Sequence, residues 1–215
     1  MKIKWIGLSC FLVVSKSGTR IVMDPFTPNF YGRNYGSIDE TADIVTISHH
    51  HADHDCASII KGNPAVFAQV GTFSSNSIKI TGIKSYHDAV GGWERGDNTI
   101  FCLDIDGMRV CHLGDLGHLL TDEQLAAMGH IDILIVPAGG KATLDPADAK
   151  VTVNVVEPKV AIPMHFSTGR LTLPYKTKDL ITLWPDIKVI GSPEMEVSKK
   201  TLPKKPTVML LKEAL

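Results

Sequence analysis

His49-His50-His51-Ala52-Asp53-His54 (HHHADH) follows without a break on the short apolar run Ile44–Ser48 (IVTIS). The run predicts a buried strand, because it is short and rich in β-branched residues. A turn at the end of a strand can aim alternate side chains to one side. His49 and His51 can therefore share a metal ion, while Asp53 and His54 face a second one nearby. Imidazole and carboxylate at this density suit zinc, manganese or iron and offer little to calcium. A His-rich surface loop is the plain alternative, and position along the chain decides against it.

Working outward, three more candidate ligands each stand at or just beyond the end of an apolar strand. Ile80–Ser85 leads into Tyr86-His87-Asp88. Thr99–Ile105 and Met108–Leu113 read as paired strands around an Asp106-Gly107 turn, and the second leads into Gly114-Asp115. Ile131–Val136 is a buried strand, and Val160–Met164 is another, ending at His165. Ligand sites on α/β sheets commonly gather at such strand ends. A lone His or Asp there carries little weight. The seven together make two nearly complete ligand sets with one shared carboxylate.

The remaining elements follow the same rules. Lys2–Ile6, Cys10–Val14 and Arg20–Met23 predict strands, with Ser15–Thr19 as a hairpin turn. Thr121 caps a helix over Asp122–Met128, with Gln124 at the capping-box position. Asp145-Pro146 opens a helix to about Val156, and Lys176–Leu183 predicts another. Strands first, then strands mixed with helices, suit two sheets packed face to face with helices outside.

Here the chain resembles the metallo-β-lactamase superfamily, in its branch of small stand-alone metal-dependent hydrolases. The resemblance runs through Gly7-Leu8-Ser9-Cys10-Phe11-Leu12, Met23-Asp24-Pro25, HHHADH, His87-Asp88, and His112-Leu113-Gly114-Asp115-Leu116-Gly117-His118. It continues through Pro137-Ala138-Gly139-Gly140 with Thr143, and Ile162-Pro163-Met164-His165. It implies a four-layer αββα sandwich of two mixed β-sheets with helices on the outer faces. It also implies that His49, His51 and His87 hold one metal, that Asp53, His54 and His165 hold the other, and that Asp115 bridges them. The expected cofactors are two divalent ions, zinc first, with manganese or iron as alternatives.

The reaction expected from this set is hydrolysis of a small-molecule ester, lactone or phosphoester by a hydroxide bridged between two metals. Asp53 would orient the hydroxide and accept its proton. His118 would either donate a hydrogen bond to substrate or to a ligand, or be structural. Asp88 can fix the tautomer of a ligand His. Lys141 either meets an anionic substrate group or faces solvent. Trp93, Glu94 and Arg95 form the rim of the site or pack on the surface, and His112 and His130 are read as structural. Specificity is expected in the loops Pro28–Ser37, Gly91–Gly96 and Thr168–Lys176. Relatives by resemblance include L-ascorbate phosphate lactonases and a phospholipase D acting on N-acyl phosphatidylethanolamines. A nuclease like the tRNA 3′-processing enzymes, or a metal-binding module without turnover, are the alternatives.

Composition bounds the rest. At 215 residues, 44% apolar and 21% charged, the chain is expected to form one domain over 1–215. Its net charge of −1 draws it neither to nucleic acid nor to anionic membranes. Lys199, Lys200, Lys204 and Lys205 predict a solvated surface strand and turn. The four cysteines, Cys10, Cys56, Cys102 and Cys111, form no CxxC pair and suggest reduced thiols in the cytoplasm. Lys2 and Lys4 before Trp5–Val14 imitate a signal peptide. No small-residue cleavage site follows, and Lys16, Gly18 and Arg20 interrupt the run, so two strands are predicted instead. No apolar stretch reaches the roughly 18–20 residues of a membrane span.

Overall fold

The structure, a computed structural model, describes residues 1–32 and 35–215. Arg33 and Asn34, inside the expected Pro28–Ser37 specificity loop, lie outside the described residues. The chain opens with β1 (Lys2–Gly7), β2 (Cys10–Val14) and β3 (Arg20–Met23), joined as antiparallel neighbours. The Ser15–Thr19 hairpin turn forms as the sequence predicts, with Ser15 N–H donating to Thr19 O. β4 (Ile44–Thr46) and β5 (Ala65–Phe67) then add in parallel at one edge.

The second sheet follows: β6 (Gly71–Ser75), β7 (Ile78–Tyr86), β8 (Asp97–Ile105), β9 (Met108–His112), β10 (Ile133–Pro137) and β11 (Val160–Met164). Short strands close the chain: β12 (Lys188–Val189), β13 (Glu194–Glu196) and β14 (Thr207–Leu210). The sheet orders are β13-β1-β2-β3-β4-β5 and β12-β14-β11-β10-β9-β8-β7-β6. Each sheet mixes parallel and antiparallel pairs. β10 (ILIVP) and β11 (VAIPM) are buried at every position. That is the continuous apolar signature of parallel strands covered on both faces.

Alternation in the first sheet separates two cores. Ile3, Trp5, Phe11, Val13, Ile21, Met23 and Ile44 face the second sheet and join the main cluster. Ile6, Cys10, Leu12, Val22 and Val45 face outward, where Phe26, Phe30, Tyr35 and Ile60 cover them. That covering layer is irregular chain carrying two single-turn 3-10 helices, Phe30–Gly32 and Ala57–Ile59. The α-helices lie against the second sheet. α1 (Asp122–Met128) meets β7, α2 (Pro146–Val156) meets β10, and α3 (Thr177–Leu183) packs on α2.

Both predicted helix starts form. Thr121 Oγ1 accepts from Gln124 N–H, and Thr121 N–H donates to the Gln124 side chain. Asp145 accepts from Asp148 N–H with Pro146 in the first turn. β5, β6 and β12–β14 are not legible in the sequence. β5, β12 and β13 expose most of their residues, and β6 (GTFSS) is largely polar, so these four carry no clear apolar signature, while β14 (TVML) is mostly apolar but only four residues long. Lys199, Lys200, Lys204 and Lys205 are exposed between β13 and β14. All four cysteines are free, and among the described residues no helix is long and apolar enough to cross a membrane.

Candidate metal centre

The sheet register explains why distant residues meet. β7 and β9 are both antiparallel to β8, and β9, β10 and β11 are parallel, so β7, β9 and β11 all run the same way. His87 follows β7 directly, Asp115 stands three residues beyond β9, and His165 follows β11. Their edge of the sandwich meets the turn after β4, where His54 N–H and Asp55 N–H both donate to His51 O. All seven predicted ligands come together there.

They form three overlapping groups, His49/His51/His87, His49/His54/Asp115 and Asp53/His54/His165, each with donor atoms within 4.8 Å of one another. Asp115 is the hub. Its Oδ2 lies 3.2 Å from His54 Nε2 and 3.4 Å from both His87 Nε2 and His165 Nε2. Its Oδ1 accepts from Ser9 Oγ at 3.3 Å, and its backbone N–H donates to Asn98 Oδ1 at 3.0 Å. Asn98 also donates to Ser85 Oγ and Leu113 O, tying the ends of β7, β8 and β9 beneath the carboxylate.

The other ring nitrogens fix which lone pairs face inward. Asp24 is fully buried after β3. It accepts from Ser48 N–H at 2.7 Å, from Ser48 Oγ at 2.6 Å and from His54 Nδ1 at 2.9 Å. Because the Ser48 hydroxyl proton goes to Asp24, Ser48 Oγ accepts from His49 Nδ1 at 3.0 Å. One carboxylate thus presents the Nε2 lone pairs of both His49 and His54 to the cluster. His87 Nδ1 donates to Ala142 O at 3.2 Å, which does the same for a third ring.

This donor set fits a cation. His49 Nε2 and His51 Nδ1 face each other at 3.0 Å, a pairing that needs a proton or a metal between them. His54 Nε2 is buried with no hydrogen-bond partner among the described residues, although it points into the cluster. Burial lowers the His49 and His87 pKa values, and the neighbouring His54 reinforces this, so both rings are held neutral. For Asp115, burial works the other way. It is overcome by His165, His54 and His49, which hold the carboxyl well below its usual range. Burial works against charge on His54 as well, but Asp115 and Asp24 overcome it and raise its pKa. A metal entering the cluster therefore displaces a proton from His54, while His49, His87 and the Asp115 carboxylate already stand in the ligating form.

Backbone strain gathers here as well. Leu8, Asp24, Lys141 and His165 all have left-handed backbone, with φ of 53°, 46°, 68° and 51°. Such residues persist only where their surroundings hold them, each at about 1–3 kcal/mol. His165 N–H donates to Leu8 O, so two of these positions brace one another. Gly139 sits behind His165 so closely that a Cβ would lie 1.9 Å from the His165 carbonyl oxygen. Only glycine fits.

For Asp88 the structure replaces the expected role, and for His118 it supports the structural alternative. Asp88 does not orient a ligand His. Its carboxylate accepts from four backbone amides of the following loop, Val90, Gly92, Glu94 and Arg95, at 2.8–2.9 Å. Desolvation pushes its pKa up, yet these donors prevail and bring it to about 2. His118 does not reach the cavity. Its Nε2 accepts from Tyr86 N–H and its Nδ1 donates to Leu119 O, so both ring nitrogens are spent on backbone. Sequence reading missed Asp24, Ser48 and Asn98. The Asp24-Pro25 pair was visible only as a turn.

Above the cluster opens a cavity of about 340 Å³. His51, Asp53, His87, Asp115 and His165 form its floor, and Lys141, Arg95, Leu171 and Leu173 stand on its walls. The Gly91–Gly96 and Thr168–Lys176 loops therefore reach the site. Trp93 does not line it and is 90% exposed at the loop tip.

Residues 2–165 match the family described as the beta-lactamase superfamily domain. The chain is 30% identical to a protein of Carboxydothermus hydrogenoformans named UPF0173 metal-dependent hydrolase, covering 78% of this chain and 85% of the relative. A UPF0173 protein of Pyrococcus abyssi is 32% identical, with 78% and 84% covered. Among solved structures, one from Thermotoga maritima is assigned as a Zn-dependent hydrolase of the metallo-beta-lactamase superfamily. It superposes with a TM-score of 0.80 at 36% identity, over 98% of this chain and 99% of that one.

Proposed function

This chain belongs to the beta-lactamase superfamily as a metal-dependent hydrolase, and from that membership we propose that it cleaves a small-molecule ester, lactone or phosphoester at a two-metal site. It would act as a single domain, in the cytoplasm, with zinc, manganese or iron. The observation that carries this reading is Asp115 Oδ2, equally near two imidazole nitrogens and closer still to a third. A carboxylate so placed suits a bridge between two ligand sets.

In this reading His49, His51 and His87 hold one ion and Asp53, His54 and His165 the other. When bound, divalent ions supply Lewis acidity and lower the pKa of water from about 15.7 toward 7. The protein does the rest. Asp24, through Ser48 and His54, keeps two rings in the ligating tautomer. Asp53, on the cavity floor with part of its carboxylate accessible, takes a proton at a carboxylate oxygen and returns it to the leaving group. Leu171 and Leu173 exclude water from one wall.

The test is metal content followed by turnover. Protein purified without chelator should carry about two ions per chain. His51→Ala and Asp115→Ala should each lower that content and abolish hydrolysis across a panel of bis-aryl phosphates, lactones and thioesters assayed with Mn²⁺ or Zn²⁺. Unchanged metal content in both variants would refute the ligand assignment. Full loading without turnover of any substrate would leave a binding module.

A further inference from the structure

We propose that Arg95 and Lys141 form a clamp for an anionic group, so that the substrate is a small organic anion, a carboxylate or phosphate, with an apolar body. This rests on hydrolysis at the cluster below and adds the substrate class to it. Both residues line the cavity over the cluster. Among the described residues neither side chain has an ion-pair or hydrogen-bond partner, although Glu94 adjoins Arg95 in the chain and Asp97 lies two residues away. Their charge is therefore available.

An exposed cation is ordinarily a solvated one. What separates these two is how firmly their main chain is held. Arg95 ends the loop whose amides the Asp88 carboxylate collects, and His87 N–H donates to Gly96 O just beyond it. Lys141 keeps its left-handed backbone between Gly140 and Ala142, and Ala142 O accepts from His87 Nδ1. The main chain next to each cation is thus tied to one cluster residue, through the His87 N–H on one side and its ring on the other. A charged group caught between them would be positioned relative to the reacting bond.

The remaining wall fixes the other half of the ligand. Leu171 and Leu173 offer apolar surface, and about 340 Å³ admits a metabolite-sized molecule at the small end of ligand pockets. Asp88 is then a positioning residue, acting through the loop that carries Arg95.

The test uses the metal-loaded enzyme with a matched pair of aryl esters, one with a neutral acyl group and one whose acyl group ends in a carboxylate. The ratio of kcat/KM, anionic over neutral, should exceed one. It should fall about tenfold in Arg95→Gln and again in Lys141→Gln, mainly through KM, with partial recovery in Arg95→Lys. In parallel, succinate and inorganic phosphate are titrated calorimetrically into the same proteins, and the glutamine variants should bind about tenfold more weakly. Tighter succinate identifies a carboxylate as the clamped group, tighter phosphate a phosphate. Equal anion affinity in wild type and both glutamine variants overturns the clamp. If no ester is turned over while anion binding still depends on Arg95 and Lys141, the clamp stands and hydrolysis is the reading that fails.

Discussion

Asp24 concentrates more of the site's order than any single ligand. Its carboxylate accepts from Ser48 twice and from His54 once, all within the protein interior. Replacing it with Asn keeps the shape but sets an NH₂ group against one of these donors. Asp24→Asn should therefore lower metal affinity about 10- to 100-fold, read by competition with a chromophoric chelator. An affinity equal to wild type would show that His49 and His54 orient themselves. At this scale the sequence is candid about ligands and silent about their supports. HHHADH is legible because neither packing nor solubility calls for ligating side chains at that density. Asp24 hid in an ordinary Asp-Pro turn, since nothing local announces which ring its carboxylate will meet. Asp88 misled for the converse reason. It adjoins His87 in sequence, but unpaired backbone amides nearby claimed it first, as backbone groups also claimed both ring nitrogens of His118.

Among elements, those buried on both faces read most clearly. β11 matches its expected bounds to the residue and β10 to within two, because apolar runs bounded by turn signals leave little choice. The edge strands β5, β6, β12 and β13 are not legible, since a strand that faces water needs no apolar face, and β14, which lies inside the sheet, escapes by its shortness. The loop after β7 shows how a single side chain can organise an element that has no regular structure. Asp88→Asn keeps one acceptor oxygen and turns a donor toward the other two amides. Hydrogen exchange should accelerate at Val90, Gly92, Glu94 and Arg95, and the preference for anionic esters should fall as in Arg95→Gln. Protection unchanged at those four amides would remove Asp88 from the positioning role.

The whole molecule separates scaffold from chemistry. The main cluster fills the space between the sheets, while the metal ligands gather at one edge. Chelation should leave far-ultraviolet circular dichroism unchanged yet lower Tm. A ligand at a hundred to a thousand times its Kd adds about 2.7–4 kcal/mol to the folded state. Loss of the β signal on chelation would mean that the edge cannot hold without its ions. The three tryptophans are divided in the same way: Trp5 and Trp184 are buried, and Trp93 stands in water two residues before Arg95. The protein thus carries its own optical reporter. Emission from Trp93, isolated by its accessibility to an aqueous quencher, should register an arriving ligand through the loop it shares with Arg95, with no label attached.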